Sequence, residues 1–592
     1  MATQVARPKV DIQELIRISK LKAKAIKEGK AIDYYLTPEP TITETPTTND
    51  TLTLSLPTSL ASSVTVESDE PQLNEQQQLA VTYALEGKSF VLIGPAGTGK
   101  TFTVNAICNA LIKAHKLPQV TQTTNVLTNG DYGFLACAYT RRATSVVRAG
   151  LPESLVASTI HAAIEFAPAD VMVFDPATGQ ERQSMRFLPR RNRLKPLPHT
   201  LRFVAMDESS MTSLELEDQL VDALPHMPQR LYIGDICQLK PVFGDSILGY
   251  KLIELPVVEL THVYRQKEGE ILDFATNIRN GVQLLNFNLP EYDNPRLRIK
   301  QFRNAERDGV RLRQFGHLLQ EAVHTKDIDP LEGDLILCPY NVNVGTIELN
   351  KWVADYYDQA HQRQVYTIIA GRETKHLAIG DKVLIDREDA IITNIKVNPK
   401  YVGRFPPRPT VKVNRWGSQR LTKYAPDHIQ AKDDESDDSL EAMLSEMGSS
   451  LSIDDIVDDV RKLEASHVVE YMYLSPSVQR KRKYEKNPDK GNIESLSSAG
   501  DLNGLELSYV ITVHKAQGSQ AKHVMLLMSN QHKTMLHREL LYTAVTRAQS
   551  RLTIYCDKGN LTKCINNPRI KGNTIAEKSE YFRNKIAEKQ EE

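Results

Sequence analysis

The chain has 592 residues, 41% hydrophobic and 25% charged, and its 73 Lys and Arg against 74 Asp and Glu leave a formal net charge of −1. That length suggests about four domains at roughly 150 residues each. The balance excludes a partner held by bulk positive charge, while a local basic groove stays open. No apolar run reaches the ~18 residues of a membrane-spanning helix, and the N-terminus lacks the apolar stretch of a secretory signal. Six cysteines (108, 137, 237, 338, 556 and 564) show no metal-ligand spacing and read as reduced thiols. A soluble, multidomain, intracellular protein with no membrane partner is expected.

Residues 1–36 hold a basic helical segment, with eight Lys or Arg against three acids over 7–30. It reads either as a solvated helix or as a docking helix for a partner protein or for phosphates. Residues 37–70 contain 15 Ser or Thr in 34 and no aromatic, too little apolar surface to offset the entropy of ordering, so they read as a disordered linker. From about Leu73, apolar runs alternate with helical patterns: SFVLIGP (89–95), GFLACAY (133–139), RFVAMDE (202–208) and RLYIGD (230–235) predict buried parallel strands of a doubly wound α/β core. DLILCPY (334–340), SYVITVH (508–514) and RLTIYC (551–556) predict a second such core. VMVFDPATGQERQSMRF (171–187) alternates about a Pro/Gly turn and predicts a β-hairpin, followed by the basic cluster Arg190, Arg191, Arg193 and Lys195. Residues 375–500 read as an insertion with β-like segments. Within it, 433–459 carries 11 acids and no base and is expected to be solvated and flexible, and RKRKY follows at 480–484. Residues 566–592 are taken as a C-terminal tail.

The sharpest motif is GPAGTGKT, in which Gly94, Pro95, Ala96, Gly97, Thr98, Gly99, Lys100 and Thr101 follow an apolar strand and open a helix. That context fits a phosphate loop, whose glycines let backbone N–H groups turn inward around β- and γ-phosphates. Lys100 would bring charge to the γ-phosphate and Thr101 a hydroxyl to Mg²⁺. RFVAMDESS supplies Asp207 to hold the metal and Glu208 to orient and deprotonate water. These two motifs imply a nucleoside triphosphatase using ATP and Mg²⁺.

In their order, the remaining motifs resemble those of superfamily 1 helicases, most closely the RecD/Dda-like (superfamily 1B) branch. LNEQQQLA (73–80) is similar to the Q motif, which places Gln77 on the adenine edge. AYTRRAT (138–144) and STIH (158–161) resemble motifs Ia and Ib, with Thr140 and His161 on the strand. GDICQLKPV (234–242) resembles the family's GDxxQLxPV, with Gln238 sensing the γ-phosphate. THVYRQ (261–266) resembles motif IV with Arg265 as an arginine finger. VITVHKAQGSQ (510–520) resembles motif V, placing Thr512 and His514 on the strand and Gly518 at the nucleotide. LLYTAVTRAQ (540–549) resembles motif VI, with Arg547 as the second finger. Two departures stand out: Gln520 where relatives often carry an acid, and Tyr139 where they commonly carry proline.

The resemblance implies two tandem RecA-like cores, residues 71–285 and residues 286–374 with 501–565. It also implies a separation-pin subdomain at about 162–200 and an SH3-like subdomain at 375–500. Phe174 on the hairpin would stack on the last base pair, with simple burial as its alternative. The implied activity is an ATP-dependent DNA helicase that moves 5′ to 3′ on single-stranded DNA, unwinds at single-strand/duplex junctions and serves replication, recombination or repair at a nucleoid or viral replication site. Alternatives are a translocase or remodeller without strong unwinding, an RNA helicase, and an adaptor whose N-terminal tail recruits a replication or recombination protein. A monomer is expected to suffice, because both arginines lie in one chain.

Overall fold

The computed structural model describes residues 72–117, 132–152, 155–175, 180–241, 244–264, 269–282, 293–303, 308–370, 373–385, 388–398, 464–474 and 493–591. The expected N-terminal helix, linker, acidic stretch and RKRKY run lie outside the described residues.

The first core runs α1 (Glu75–Leu85), β1 (Phe90–Ile93), α2 (Lys100–Lys113), β2 (Phe134–Ala138), α3 (Arg141–Ala149), β3 (Val156–Thr159), β4 (Phe166–Asp175), β5 (Gln180–Pro189), β6 (Phe203–Asp207), β7 (Gln229–Gly234), α4 (Ile247–Glu254) and β8 (Val257–Glu259). Six strands form one sheet in the order β3-β2-β6-β7-β1-β8, and every neighbouring pair is parallel. Successive side chains leave a strand by opposite faces. Phe90 and Leu92 therefore join one apolar cluster with Ala80, Ile107 and Leu111, while Val91 and Ile93 join another with Met206 and Leu248. Burial on both faces is why these strands read as unbroken apolar runs. The predicted hairpin forms as β4 and β5, antiparallel from Phe166↔Pro189 to Asp175↔Gln180.

The chain then passes through α5 (Glu270–Asn280) to β9 (Leu297–Phe302), α6 (Asp308–His324), β10 (Leu335–Cys338) and α7 (Thr346–Ala360). The inserted strands β11 (Val365–Ala370), β12 (Glu373–Ala378), β13 (Lys382–Ile385), β14 (Glu388–Val397), β15 (Glu464–Tyr473), β16 (Ile493–Ser498) and β17 (Glu506–Leu507) come next. The second core resumes with β18 (Val510–Thr512), β19 (Ala521–Met528), α8 (Arg538–Val545) and β20 (Ala548–Asp557), and the last helix is α9 (Ile575–Glu591). The second sheet is parallel throughout, in the order β18-β10-β19-β20-β9. Its outer face packs on α6 and α7 through Phe315, Leu319, Leu349 and Val353. Both cores thus have the α/β RecA-like layering expected from the sequence.

The insertion has its own core of Val383, Ile392, Val469 and Tyr471. It sits inside a five-stranded antiparallel sheet in the order β16-β15-β14-β13-β17, so its pairing reaches residue 507. One apolar cluster runs without interruption from Val91 and Met206 of the first sheet to Leu526, Leu540 and Ile554 of the second core. Each Leu or Ile buried there stabilises the joint by about 1.5–3 kcal/mol. The stretch read as a tail contributes too: α9 returns to α4, with Phe582 buried 5.8 Å from the Tyr250 ring and Lys585 paired with Asp245. All six cysteines are unpaired and buried.

Candidate active site

Parallel strands bring all their C-terminal ends to one edge, where open α/β sheets collect ligands. On that edge lie the phosphate loop after β1, Thr140 after β2, His161 after β3, Asp207 ending β6 and Gln238 after β7. Gly99 caps α2 at φ +82°, a left-handed conformation that an L side chain resists, and no side chain caps this helix. Its first-turn N–H groups are therefore disposed to accept an anion. Lys100 Nζ donates to the carbonyls of Gly94 (2.8 Å) and Pro95 (2.9 Å), which hold the ammonium inside the loop.

Glu208 sits at φ +49°, rare for a non-glycine residue, and its N–H donates to Asp207 Oδ1 at 2.8 Å. Strain of this kind concentrates at functional sites. Burial and the neighbouring Glu208 charge push Asp207 up to about 7, against the Glu208 N–H and Lys100, which hold it down. Adjacent carboxylates in a half-buried corner would be relieved by a dication. Thr101 and Asp207 border the same cleft. One hydroxyl and one carboxylate suit Mg²⁺, which keeps several waters and takes the rest of its shell from phosphates. Among the described residues no group of three or more His, Cys, Asp or Glu could hold a metal by itself. Gln238 is 4% exposed, and its Oε1 has no hydrogen-bond partner among the described residues. A buried acceptor left unpaired costs about 1–3 kcal/mol and calls for a functional explanation.

The second core supplies the opposite wall: Gly518, Gln520 and Arg547 complete an open cleft with Gly97, Lys100, Thr101, Asp207, Glu208 and Gln238. Arg547 is 3% exposed, donating from Nε to the Thr543 carbonyl (3.0 Å) and from Nη1 to the Ser519 carbonyl (3.3 Å). Burial lowers its pKa, opposed first by the Glu208 charge, so the cation faces the carboxylates of the other core. Gly518 has φ +80°, and a Cβ there would lie 3.1 Å from Ala143 N in α3, so glycine lets the two walls approach. Gln520 Oε1 accepts from Gln549 Nε2 at 3.0 Å.

Gln77 does two things. Its N–H donates to Asn74 Oδ1 (2.8 Å) and its Oε1 accepts from Asn74 N (3.0 Å), capping α1. Its Nε2 stands 3.0 Å from where a Cβ on Gly99 would lie, against the phosphate loop. Sequence reasoning missed Tyr264: its N–H donates to Gly97 O (2.8 Å), its hydroxyl accepts from Asn74 Nδ2 (2.9 Å), and the ring is 54% exposed. The available signal was an aromatic directly before Arg265. Arg265 itself and the Phe174 side chain lie outside the described residues.

The four expected strand contacts divide between the cores. Thr140 Oγ1 accepts from Ala143 N (3.1 Å), capping α3, and Thr512 Oγ1 accepts from Lys515 N (3.2 Å). The His161 ring packs edge-on against Tyr139 (5.7 Å) and Phe166 (5.0 Å). His514 is pushed down to about 4, first by burial and then by His537 and Arg569, so it is neutral at pH 7. On the hairpin, Met172 and Phe187 are each 62% exposed.

The AAA domain family matches residues 77–244, and the UvrD-like helicase C-terminal domain family matches residues 507–555. The ATP-dependent RecD2 DNA helicase of Deinococcus radiodurans is 46% identical over 61 residues, 10% of this chain and 8% of that one. In these matches the chain is similar to the RecD-like branch of the superfamily 1 helicases. The RecBCD enzyme subunit RecD of Buchnera aphidicola is similar over more of this chain, 21% identical across 83% of it and 74% of the subunit. The chain spans only 38% of one relative, protein MJ1519 of Methanocaldococcus jannaschii, at 23% identity over 82% of its own length. Among solved structures, the Pif1 helicase of Candida albicans aligns at TM-score 0.41 and 15% identity over 87% of this chain and 99% of that one, too loose a likeness to carry weight. Among the described residues no helix is long and apolar enough to cross a membrane.

Proposed function

We propose that this protein is a helicase that hydrolyses ATP to move 5′ to 3′ along single-stranded DNA and to unwind duplex at single-strand/duplex junctions, in replication, recombination or repair. One observation carries the reading: the carboxylates of one core face the buried Arg547 of the other across a shared cleft. ATP bound there would touch both cores. Lys100 and the α2 N-terminus hold the phosphates, Gln77 Nε2 and the open Tyr264 ring take the base, and Thr101 and Asp207 hold Mg²⁺. The metal would neutralise phosphate oxygens, leaving Glu208 to accept the proton of the attacking water. Charge then spreads over the γ-oxygens, where Arg547, joined by Arg265, stabilises it. Gln238 reads the γ-phosphate by donating from Nε2, and its unpaired Oε1 accepts from the attacking water.

Filling such a cleft closes one core against the other and emptying it lets them part, a ratchet for a strand held by both. Thr140 and His161 on the first core and Thr512 and His514 on the second suit contacts to backbone without reading sequence, because their groups donate to phosphates. Met172, Phe187 and Phe174 give the hairpin apolar groups for an opened base pair. We assign the antiparallel insertion as the SH3-like subdomain and residues 1–70 as the segment that recruits a replication or recombination partner.

The test is strand separation on matched 5′-tailed, 3′-tailed and blunt duplexes, with ATP hydrolysis followed in parallel and Lys100→Ala as the blank. Unwinding of the 5′-tailed substrate alone is expected. Preference for the 3′ tail would overturn the polarity, and DNA-stimulated hydrolysis without separation would replace unwinding by translocation.

A further inference from the structure

Asp235 is 1% exposed, yet its carboxylate is contacted from separate parts of the chain. Its Oδ1 accepts from Cys237 N at 3.0 Å, which folds the segment leading to Gln238. Its Oδ2 accepts from the Tyr542 hydroxyl at 2.8 Å, and Tyr542 lies on α8 of the second core. Arg279, near the end of α5, brings positive charge to Asp235, Cys237 and Tyr542. On the other side of Gln238, Leu239 N donates to Thr543 Oγ1 at 3.1 Å. The carbonyl of that same threonine accepts from Arg547 Nε.

Two consecutive residues of α8 therefore grip the Gln238 segment from both ends, and one of them also holds Arg547. Hydrogen bonds to a buried charge are the strong ones, and leaving such a carboxylate short of a partner is costly. The segment springs from β7 of the first core but is tied to a helix of the second. Resting on the ATP-cleft reading above, we propose that Tyr542 and Thr543 are positioning residues that lock Gln238 and Arg547 into one unit. The group that senses the γ-phosphate then moves with the second core, and strand binding by that core reaches Gln238 through α8.

The test compares full-length Thr543→Val, Thr543→Ser and Tyr542→Phe for ATP turnover with and without oligo(dT). Valine keeps the volume and removes the hydroxyl, while serine restores it. For Thr543→Val and Tyr542→Phe, the ratio of DNA-stimulated to basal kcat is expected to fall about tenfold, the size of one strong buried hydrogen bond. KM for ATP should stay within about twofold in both, as for a loss outside ground-state binding. Thr543→Ser should keep the wild-type ratio. Unchanged ratios in both hydroxyl-removing variants, or equal losses for valine and serine, would overturn the proposal. If Thr543→Val fails to fold by thermal melt, Tyr542→Phe decides alone: a wild-type ratio contradicts the lock. Lys100→Ala in the same assay separates the two levels, since turnover surviving there sinks the ATP site itself. Loss there with a normal Tyr542→Phe ratio sinks the lock alone.

Discussion

The proposed nucleotide cleft and the edge proposed to face the strand are built on opposite principles. In the cleft, groups are left wanting: Gln238 Oε1 has no partner among the described residues, α2 has no side-chain cap, and two carboxylates crowd one corner. Along the strand edge, needs are met locally, with Thr140 capping α3, Thr512 closing a turn and His161 packed between two aromatic rings. A site of unmet groups specifies one ligand in one pose. A surface of satisfied groups can still lend a hydroxyl hydrogen to a passing phosphate, and it holds no fixed register.

That contrast sets the sizes of the expected effects. In the cleft, Glu208→Gln should lower kcat at least ~10³-fold, because the proton acceptor has no substitute. Nucleotide binding, followed with a fluorescent ATP analogue, should persist; turnover near wild type would break the cleft half of the comparison. At the seam between the cores, Gly518→Ala forces a Cβ towards Ala143 and a side chain into left-handed backbone, costing about 1–2 kcal/mol. Read as KM for ATP, this should be roughly a tenfold rise, and an unchanged KM would mean the walls are not held at that spacing. The smallest effect belongs to the strand edge. Thr140→Ala should lose about 1 kcal/mol of stability through the α3 cap, visible as a lower midpoint in urea. Single-stranded DNA affinity should weaken only a few-fold, as expected for one phosphate contact among many. Thr140→Ser should change neither, and a far larger loss of affinity would promote this residue from a neutral contact to a specific one.

Legibility in the sequence followed the same division. The phosphate loop occupies eight consecutive residues with a strand before and a helix after, and Asp207–Glu208 ends an apolar run, so chain-local patterns disclosed them. The hairpin was legible because alternation about a Pro/Gly turn is itself local. What escaped depends on residues brought together only by folding: Asn74 with Tyr264 across 190 positions, and Asp235 with Tyr542 across 307. β3 and β8, the edge strands of the first sheet, span four and three residues, too few to show a period. The last helix read as a tail because Phe582 and its apolar neighbours Ile575, Tyr581 and Ile586 are spread among charges, and only their meeting with α4 makes a face of them. Its return to the first core adds a second tie between the halves of the cleft.

The central claim is that the second core completes the ATP site through Arg547. It is tested most directly by the single-turnover hydrolysis rate of Arg547→Ala, with nucleotide saturating and single-stranded DNA present. The shared cleft predicts a fall of about 10³-fold or more with ATP still bound, as for loss of an arginine finger. Hydrolysis at the wild-type rate in that protein would mean that the first core works alone and that Arg547 merely lies beside it.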